Sequence, residues 1–401
     1  MRILFINHTF PGLFSSLVAA FGAESRHEVL FASSYGRRQE VTLPGVRKIR
    51  LGPHALRART AAEELDNMMA AGRQALHSFE VLRGSGFVPD MVLSSSRGGY
   101  ALFWESAFPD SFRVCWTESC TSLPDAEAAT DPLFARQLVL CRQVMDCDLA
   151  VTLSAGQPGY LQDKLKHAVE LPYAVNTRQF APGHFEALEQ DGLDLTALPE
   201  LLVLAVSRTL AQSSTLPLLL EHLCTLRPRC HVLLFCDTLA TQGSMRTLCP
   251  TLAAGRAGRL HVSGMLSLNK YKTLLSQAAA WVYPPDSRVQ AVSLLEAMSC
   301  GAALILSKGS FASSLLQDRD NVLFLEEREP REFAESLDAL LNQKELLQKV
   351  RLRARATVVE HCAQDRVLPL QTHFLEQMYQ IWKEQGSSGI TAHLEGLQSL
   401  V

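Results

Sequence analysis

Eleven short apolar runs recur along this chain, most of them followed by a longer stretch whose apolar residues have helical spacing, and no other feature limits the possible folds as much. The runs are RILFI (2–6), EVLFAS (28–33), DMVLSS (90–95), FRVCW (112–116) and DLAVTLS (148–154). They resume as LLVLAVS (201–207), HVLLFC (231–236), RLHVSG (259–264), AAWVYP (279–284), AALILS (302–307) and NVLFL (321–325). Runs of this length and continuity are how strands buried on both faces look, and regular alternation with helices calls for parallel sheets with helices on each side. The expected fold is therefore α/β, with each half a doubly wound, Rossmann-like sheet.

With 401 residues there is room for two such domains. The least periodic stretch, from about Pro182 to Pro199, is read as the connection between them. The domains are set at 1–180 and 181–365. A last segment, 366–401, is read as a helix with Leu370, Phe374, Met378 and Ile381 on one face, ending in a weakly ordered tail from Gln385.

Composition narrows the chemistry. The 38 basic and 41 acidic side chains leave a formal charge of −3, which gives no overall field to attract nucleic acid. The ten cysteines include no pair at two-residue spacing, so no metal or redox site is expected, and free thiols suit a reducing cytoplasm. No apolar run reaches the length of a membrane span, and Asn7, His8 and Pro11 interrupt the opening residues, which read as strand, turn and helix rather than as a leader. The dinucleotide glycine fingerprint, the phosphate-loop motif and the nucleophile elbow are all missing.

The most informative stretch is SLLEAMSCGAALILS (293–307). Val292, Leu295 and Met298 recur at helical spacing, Gly301 supplies a left-handed stop, and a buried strand follows. The preceding PPDSRVQAV opens this helix at the carboxyl end of a strand, where free amides and the helix dipole favour phosphate. Glu296 projects from that helix; an ordinary solvated glutamate is the alternative reading.

LLEAMSCG followed by an apolar strand resembles the donor-site signature of family four (group 1) retaining glycosyltransferases, which have the GT-B fold of two Rossmann-like domains facing across a cleft. FINHTFPGLF (5–14), LPYAVNTRQFAP (171–182) and LAVSRTLAQ (204–212) resemble further motifs of that family, in the same order along the chain. The resemblance implies transfer of a sugar from a UDP- or GDP-sugar to a glycan, lipid or protein acceptor, without a required metal, in the cytoplasm or at the inner membrane surface. It also implies a last helix that returns to the first domain. By this resemblance Arg208 neutralises the diphosphate, backbone amides near Val292 and Ser293 cap it, Glu296 holds the ribose and Gly12 permits close approach.

The departures from the family pattern are as specific as the matches. The first glutamate of the family's pair falls on Arg288, a lysine falls on Ser213, an N-domain histidine falls on Ser95, and the interdomain Gly and Asp become Ala174 and Asn176. Arg288 would restore one positive charge. Losing one such donor or cation commonly costs about 2.7 to 4 kcal/mol of stabilisation of the leaving diphosphate, so several losses could abolish turnover.

A catalytically degenerate protein that binds a nucleotide sugar or a protein partner therefore stands beside the enzyme reading, and a non-hydrolysing sugar-nucleotide epimerase is a third. Candidate acceptor-side residues are His8, Arg97, Trp104 and Glu118, with Trp116 a further aromatic platform. Arg37, Arg38, Arg47, Lys48, Arg50, Arg57 and Arg59 could gather at a membrane surface or simply be solvated.

Overall fold

The computed structural model describes residues 1–34, 42–52, 58, 60–95, 98–117, 132–152, 167–190, 192–198, 200–236, 239–252, 258–285, 291–308, 315–326 and 329–398. It divides into two compact units, Met1–Ala174 together with Asp365–Val401, and Val175–Gln364.

Unit 1 is built on seven strands, β1 (Arg2–Ile6), β2 (Glu28–Ser33), β3 (Val46–Arg50), β4 (Met91–Ser95), β5 (Phe112–Thr117), β6 (Leu149–Thr152) and β7 (Ala168–Glu170). They lie in the order β3-β2-β1-β4-β5-β6-β7, and every neighbouring pair is parallel. The central strands are continuous apolar runs because the sheet is covered on both faces. On one face Leu4, Ile6, Leu30 and Val92 pack with Ala71, Ala75 and Phe79 of α2 (Ala61–Gly84). On the other, Ile3, Phe5, Val29, Phe31 and Leu93 meet Leu17, Val18 and Phe21 of α1 (Ser15–Ala23). Among the described residues the unit has three further α-helices: α3 (Trp104–Ala107), α4 (Pro132–Met145) and, from the far end of the chain, α12 (Gln364–Gln398).

Helix α12 completes that second face with Leu375, Met378, Tyr379, Ile390 and Leu394. The structure differs here from the weakly ordered tail expected after Gln385. Gly386 breaks the helix with φ 68° and ψ −168°, and Ser387 then donates to Asp148 Oδ1 at 2.6 Å. The helix resumes, and Ile390 and Leu394, one turn apart, are buried. The sequence GSSG looks like a linker, but a single glycine conformer redirects the helix instead.

Unit 2 holds a short antiparallel hairpin, β8 (Glu189–Gln190) and β9 (Leu193–Asp194), and a six-stranded parallel sheet. Its strands β10 (Leu201–Val206), β11 (His231–Cys236), β12 (Leu260–Ser263), β13 (Ala280–Tyr283), β14 (Leu304–Ser307) and β15 (Leu323–Leu325) take the order β12-β11-β10-β13-β14-β15. Helices α5 (Arg208–Gln212), α6 (Thr215–Leu226), α7 (Leu239–Leu252), α8 (Leu268–Gln277), α9 (Ala291–Ser299), α10 (Pro330–Leu341) and α11 (Lys344–His361) surround it.

The stretch Pro182–Pro199, read from sequence as a connection, lies inside unit 2. There Thr273 Oγ1 accepts hydrogen bonds from the amides of Phe185 and Glu186. Weak periodicity marked irregular backbone there, not a boundary. No helix among the described residues is long and apolar enough to cross a membrane.

Candidate functional site

In an open parallel sheet, the groove for a ligand forms beyond the carboxyl ends of two adjacent strands whose connections leave in opposite directions. Unit 1 has this point between β1 and β4, and unit 2 has it between β10 and β13. Several of the candidate residues lie at these two places.

In unit 2, Ser207 follows β10 and caps α5, its Oγ accepting from the Leu210 amide at 3.2 Å. Arg208 is thereby placed in the first turn of α5, one residue beyond the strand end; its side chain lies outside the described residues. Ser213, where the resemblance puts a lysine, ends α5 and donates through Oγ to the Leu210 carbonyl at 2.9 Å. Arg288 lies outside the described residues.

Helix α9 follows β13 and brings Val292, Ser293 and Glu296 to the same switch point. Val292 and Ser293 fall in its first turn, where backbone N–H groups have no partner within the helix. Gly301 takes φ +70° just after the helix, and the chain turns into β14.

Glu296 is half-buried, and burial pushes its carboxyl up to about 7. Tyr271 of α8 shares these surroundings. Burial, then the neighbouring Tyr283 and Glu296, raise its phenol well above the ordinary value, while a hydrogen bond with Ser293 acts in the opposite direction. Burial and the Glu296 charge likewise raise the Cys300 thiol to about 12. A carboxyl held near neutrality can accept hydroxyl hydrogen bonds when ionised and donate one when protonated.

In unit 1, the switch point is closed by a hydrogen bond. Ser95, at the end of β4 and 2 % exposed, donates through Oγ to Asn7 Oδ1 at 2.7 Å, and Asn7 Nδ2 donates to the Thr9 carbonyl at 3.0 Å. Gly12 closes the same loop at φ +51°. A Cβ there would lie 2.1 Å from Asn7 Nδ2 and 2.8 Å from Thr9 Oγ1. Gly12 is thus demanded by its own loop, whatever approaches it from outside.

His8 Nδ1 lies 3.1 Å from Ser34 Oγ, and the imidazole stacks on Tyr100 at a 6.2 Å centroid separation. Trp104 and Trp116 are both in the core. Trp104 packs among α2 and α3 residues, and Trp116 meets Phe14 edge-on at 6.1 Å. Arg97 and Glu118 lie outside the described residues, as do Arg37, Arg38, Arg57 and Arg59. Arg47, Lys48 and Arg50 are exposed along the edge strand β3, where Arg47 pairs with Glu28 at 2.8 Å.

The structure therefore gathers Val292, Ser293, Glu296 and the Arg208 backbone at one switch point, and His8, Gly12 and Ser95 at the other. Sequence reasoning missed Asn7 and Tyr271. Asn7 was readable as a polar residue directly after β1, whereas Tyr271 carries no spacing signal.

Residues 25–154 match the model of the glycosyl transferase family 4 group, and residues 216–357 match that of the glycosyl transferases group 1. None of the curated proteins matches the chain by sequence. Among solved structures, the sucrose-phosphate synthase (tll1590) from Thermosynechococcus elongatus is similar with a TM-score of 0.73 at 15% identity, over 94% of this chain and 99% of that one. Anabaena Alr3699/HepE in complex with UDP and glucose gives 0.67 at 12% identity, over 94% and 100%. A glycosyltransferase from Rickettsia africae ESF-5 gives 0.62 at 14%, over 94% and 98%. These likenesses show the GT-B fold. The two matched segments are both of glycosyl transferase models and support sugar transfer as the general class of function.

Proposed function

We propose that this protein transfers a sugar from a nucleotide-sugar donor to an acceptor hydroxyl with retention of configuration, as a member of the family four retaining group. The observation that supports the reading is the unit 2 switch point, where the Arg208 backbone follows β10 and α9, with Val292 and Ser293 in its first turn and the half-buried Glu296, follows β13. A solved structure of Anabaena Alr3699/HepE holds UDP-glucose and another holds UDP, which supports a uridine donor as the first to test.

In the proposed reaction the bond from the anomeric carbon to the diphosphate breaks, and the acceptor oxygen bonds that carbon on the same face. The bonding electrons leave with the diphosphate, and the acceptor's proton passes to it. Arg208 and the amides of Val292 and Ser293 meet the growing negative charge, so no metal is assigned to this step. Glu296 accepts hydrogen bonds from the ribose hydroxyls. His8 is assigned to the acceptor, and the acceptor itself is a glycan, lipid or protein hydroxyl.

A second reading has its own support. Ser95 and Ser213, which stand where the family pattern has a histidine and a lysine, are both engaged in hydrogen bonds within the chain. They are built into the local structure, as in a protein that binds a nucleotide sugar or a partner without turnover.

Thermal-shift and calorimetric titration with UDP, GDP and ADP separates these readings. Stabilisation by one nucleotide, lost in Arg208→Ala and Glu296→Ala, together with sugar release from the matching donor, is the result expected of the transferase. Stabilisation without turnover selects the binding protein. No stabilisation by any of the three would overturn the donor site.

A further inference from the structure

Glu24 ends α1, His27 lies in the turn that leads into β2, and Glu376 comes from α12. Their ligand atoms all lie within 4.8 Å of one another, at the amino-terminal edge of the unit 1 sheet and therefore at the opposite edge from Asn7 and Ser95. The His27 imidazole is 2 % exposed, yet neither ring nitrogen has a hydrogen-bond partner. A buried, unsatisfied imidazole is costly, and a native structure retains one only for a reason.

The geometry around His27 supplies the reason. Its Nε2 is 3.1 Å from Glu376 Oε1 and 3.5 Å from Glu24 Oε2, and neither approach has the direction of a hydrogen bond. Ligands placed tetrahedrally at about 2.0 to 2.1 Å from a zinc ion stand about 3.3 Å apart, close to the two separations from His27 Nε2.

We propose that Glu24, His27 and Glu376 form a binding site for a divalent transition-metal ion, best matched by zinc, with water completing the coordination. One imidazole and two carboxylates are borderline-to-hard donors, which suit zinc better than the softer thiolate-seeking ions. Arg26 pairs with the same two oxygens, Nε with Glu24 Oε2 at 2.6 Å and Nη2 with Glu376 Oε1 at 2.8 Å. Each carboxylate oxygen has a second lone pair, so Arg26 serves as the outer partner that orients both ligands. The ion would fasten α12 to the turn between α1 and β2. This role is structural and does not depend on the proposed transfer reaction.

The test uses the full chain, stripped with chelator and titrated with cobalt(II) and with zinc, magnesium serving as the control. One equivalent of cobalt(II) should give the intense visible bands of a tetrahedral site. Zinc should displace it and raise the unfolding temperature, and magnesium should do neither. His27→Gln should lower the affinity at least about tenfold. Because His27 is buried, Glu24→Gln at the 39 % exposed position provides the second variant, with the same loss expected. Absence of stoichiometric binding, or binding unchanged in both variants, would overturn the site and leave an ion-pair network centred on Arg26.

Discussion

The Ser95 hydroxyl donates to Asn7 Oδ1 at 2.7 Å and so ties the ends of β4 and β1 together at the point where the unit 1 connections diverge. Ser95→Ala leaves a buried acceptor with one partner fewer and should cost about 1 to 3 kcal/mol, read as a lower urea midpoint with unchanged slope. Ser95→His must also place a ring where a serine is enclosed and should cost at least as much. Placing there the histidine that the sequence resemblance would call for should therefore damage the loop before it could help any reaction.

Gly12→Ala should be more harmful than an ordinary glycine replacement. The backbone conformation at φ +51° disfavours any side chain, and the new methyl would displace the Asn7 amide. We expect a loss of about 1 to 3 kcal/mol by chemical denaturation, together with weaker protection of the Thr9 to Phe14 amides from hydrogen exchange.

Glu296 should make both stability and binding depend on pH, with opposite signs. Its folded pKa, about 7, lies above the ordinary 4.5, so its contribution to stability is complete below about 4.5 and is lost as pH rises through about 7. Glu296→Gln should remove this loss and make the variant more stable than the parent at pH 8, by about 1 to 3 kcal/mol, because the carboxyl keeps part of its solvent contact. If the ionised carboxylate holds the ribose, nucleotide affinity should rise up to about tenfold from pH 6 to 8 in the parent and stay flat in the variant. Calorimetry across that range measures both arms.

Ile390→Ala and Leu394→Ala should each cost about 2 to 4 kcal/mol, since both side chains are enclosed in the unit 1 core. Leu370→Ala, on the 67 % exposed side of the same helix, should change stability by no more than about 0.5 kcal/mol. Equal effects at all three positions would contradict the docking of the second half of α12.

The sequence was most legible where burial on both faces leaves an unbroken apolar run. Each of the eleven runs coincides with a strand of one of the two parallel sheets. The strands it did not reveal are those without such runs. VRKIR of β3 has three charged residues among its five because it lies at the sheet edge, and AVE of β7, at the other edge, is too short to carry a period. At the candidate site, the helix bearing Glu296 was readable from apolar spacing and Gly301. The half-buried state of Glu296 was not, because α8 brings Tyr271 alongside from a separate part of the chain. The trio around His27 was hidden for the same reason: Glu24 and His27 stand three residues apart, but their third member is on α12.

The two passages between the units lie side by side, the Val175 amide donating to the Cys362 carbonyl at 2.7 Å and the Gln364 amide to the Val175 carbonyl at 2.8 Å. Topologically, unit 2 is thus an insertion within unit 1. During synthesis from the amino terminus, Val175–Gln364 is complete before Leu375, Met378, Ile390 and Leu394 have been made. The half of the protein that begins first is the half that finishes last. Until α12 emerges, Phe112 lacks the Tyr379 and Trp382 rings that pack against it in the finished fold, at centroid separations of 6.4 and 5.7 Å, and its side of the sheet stays open to whatever attends the nascent chain.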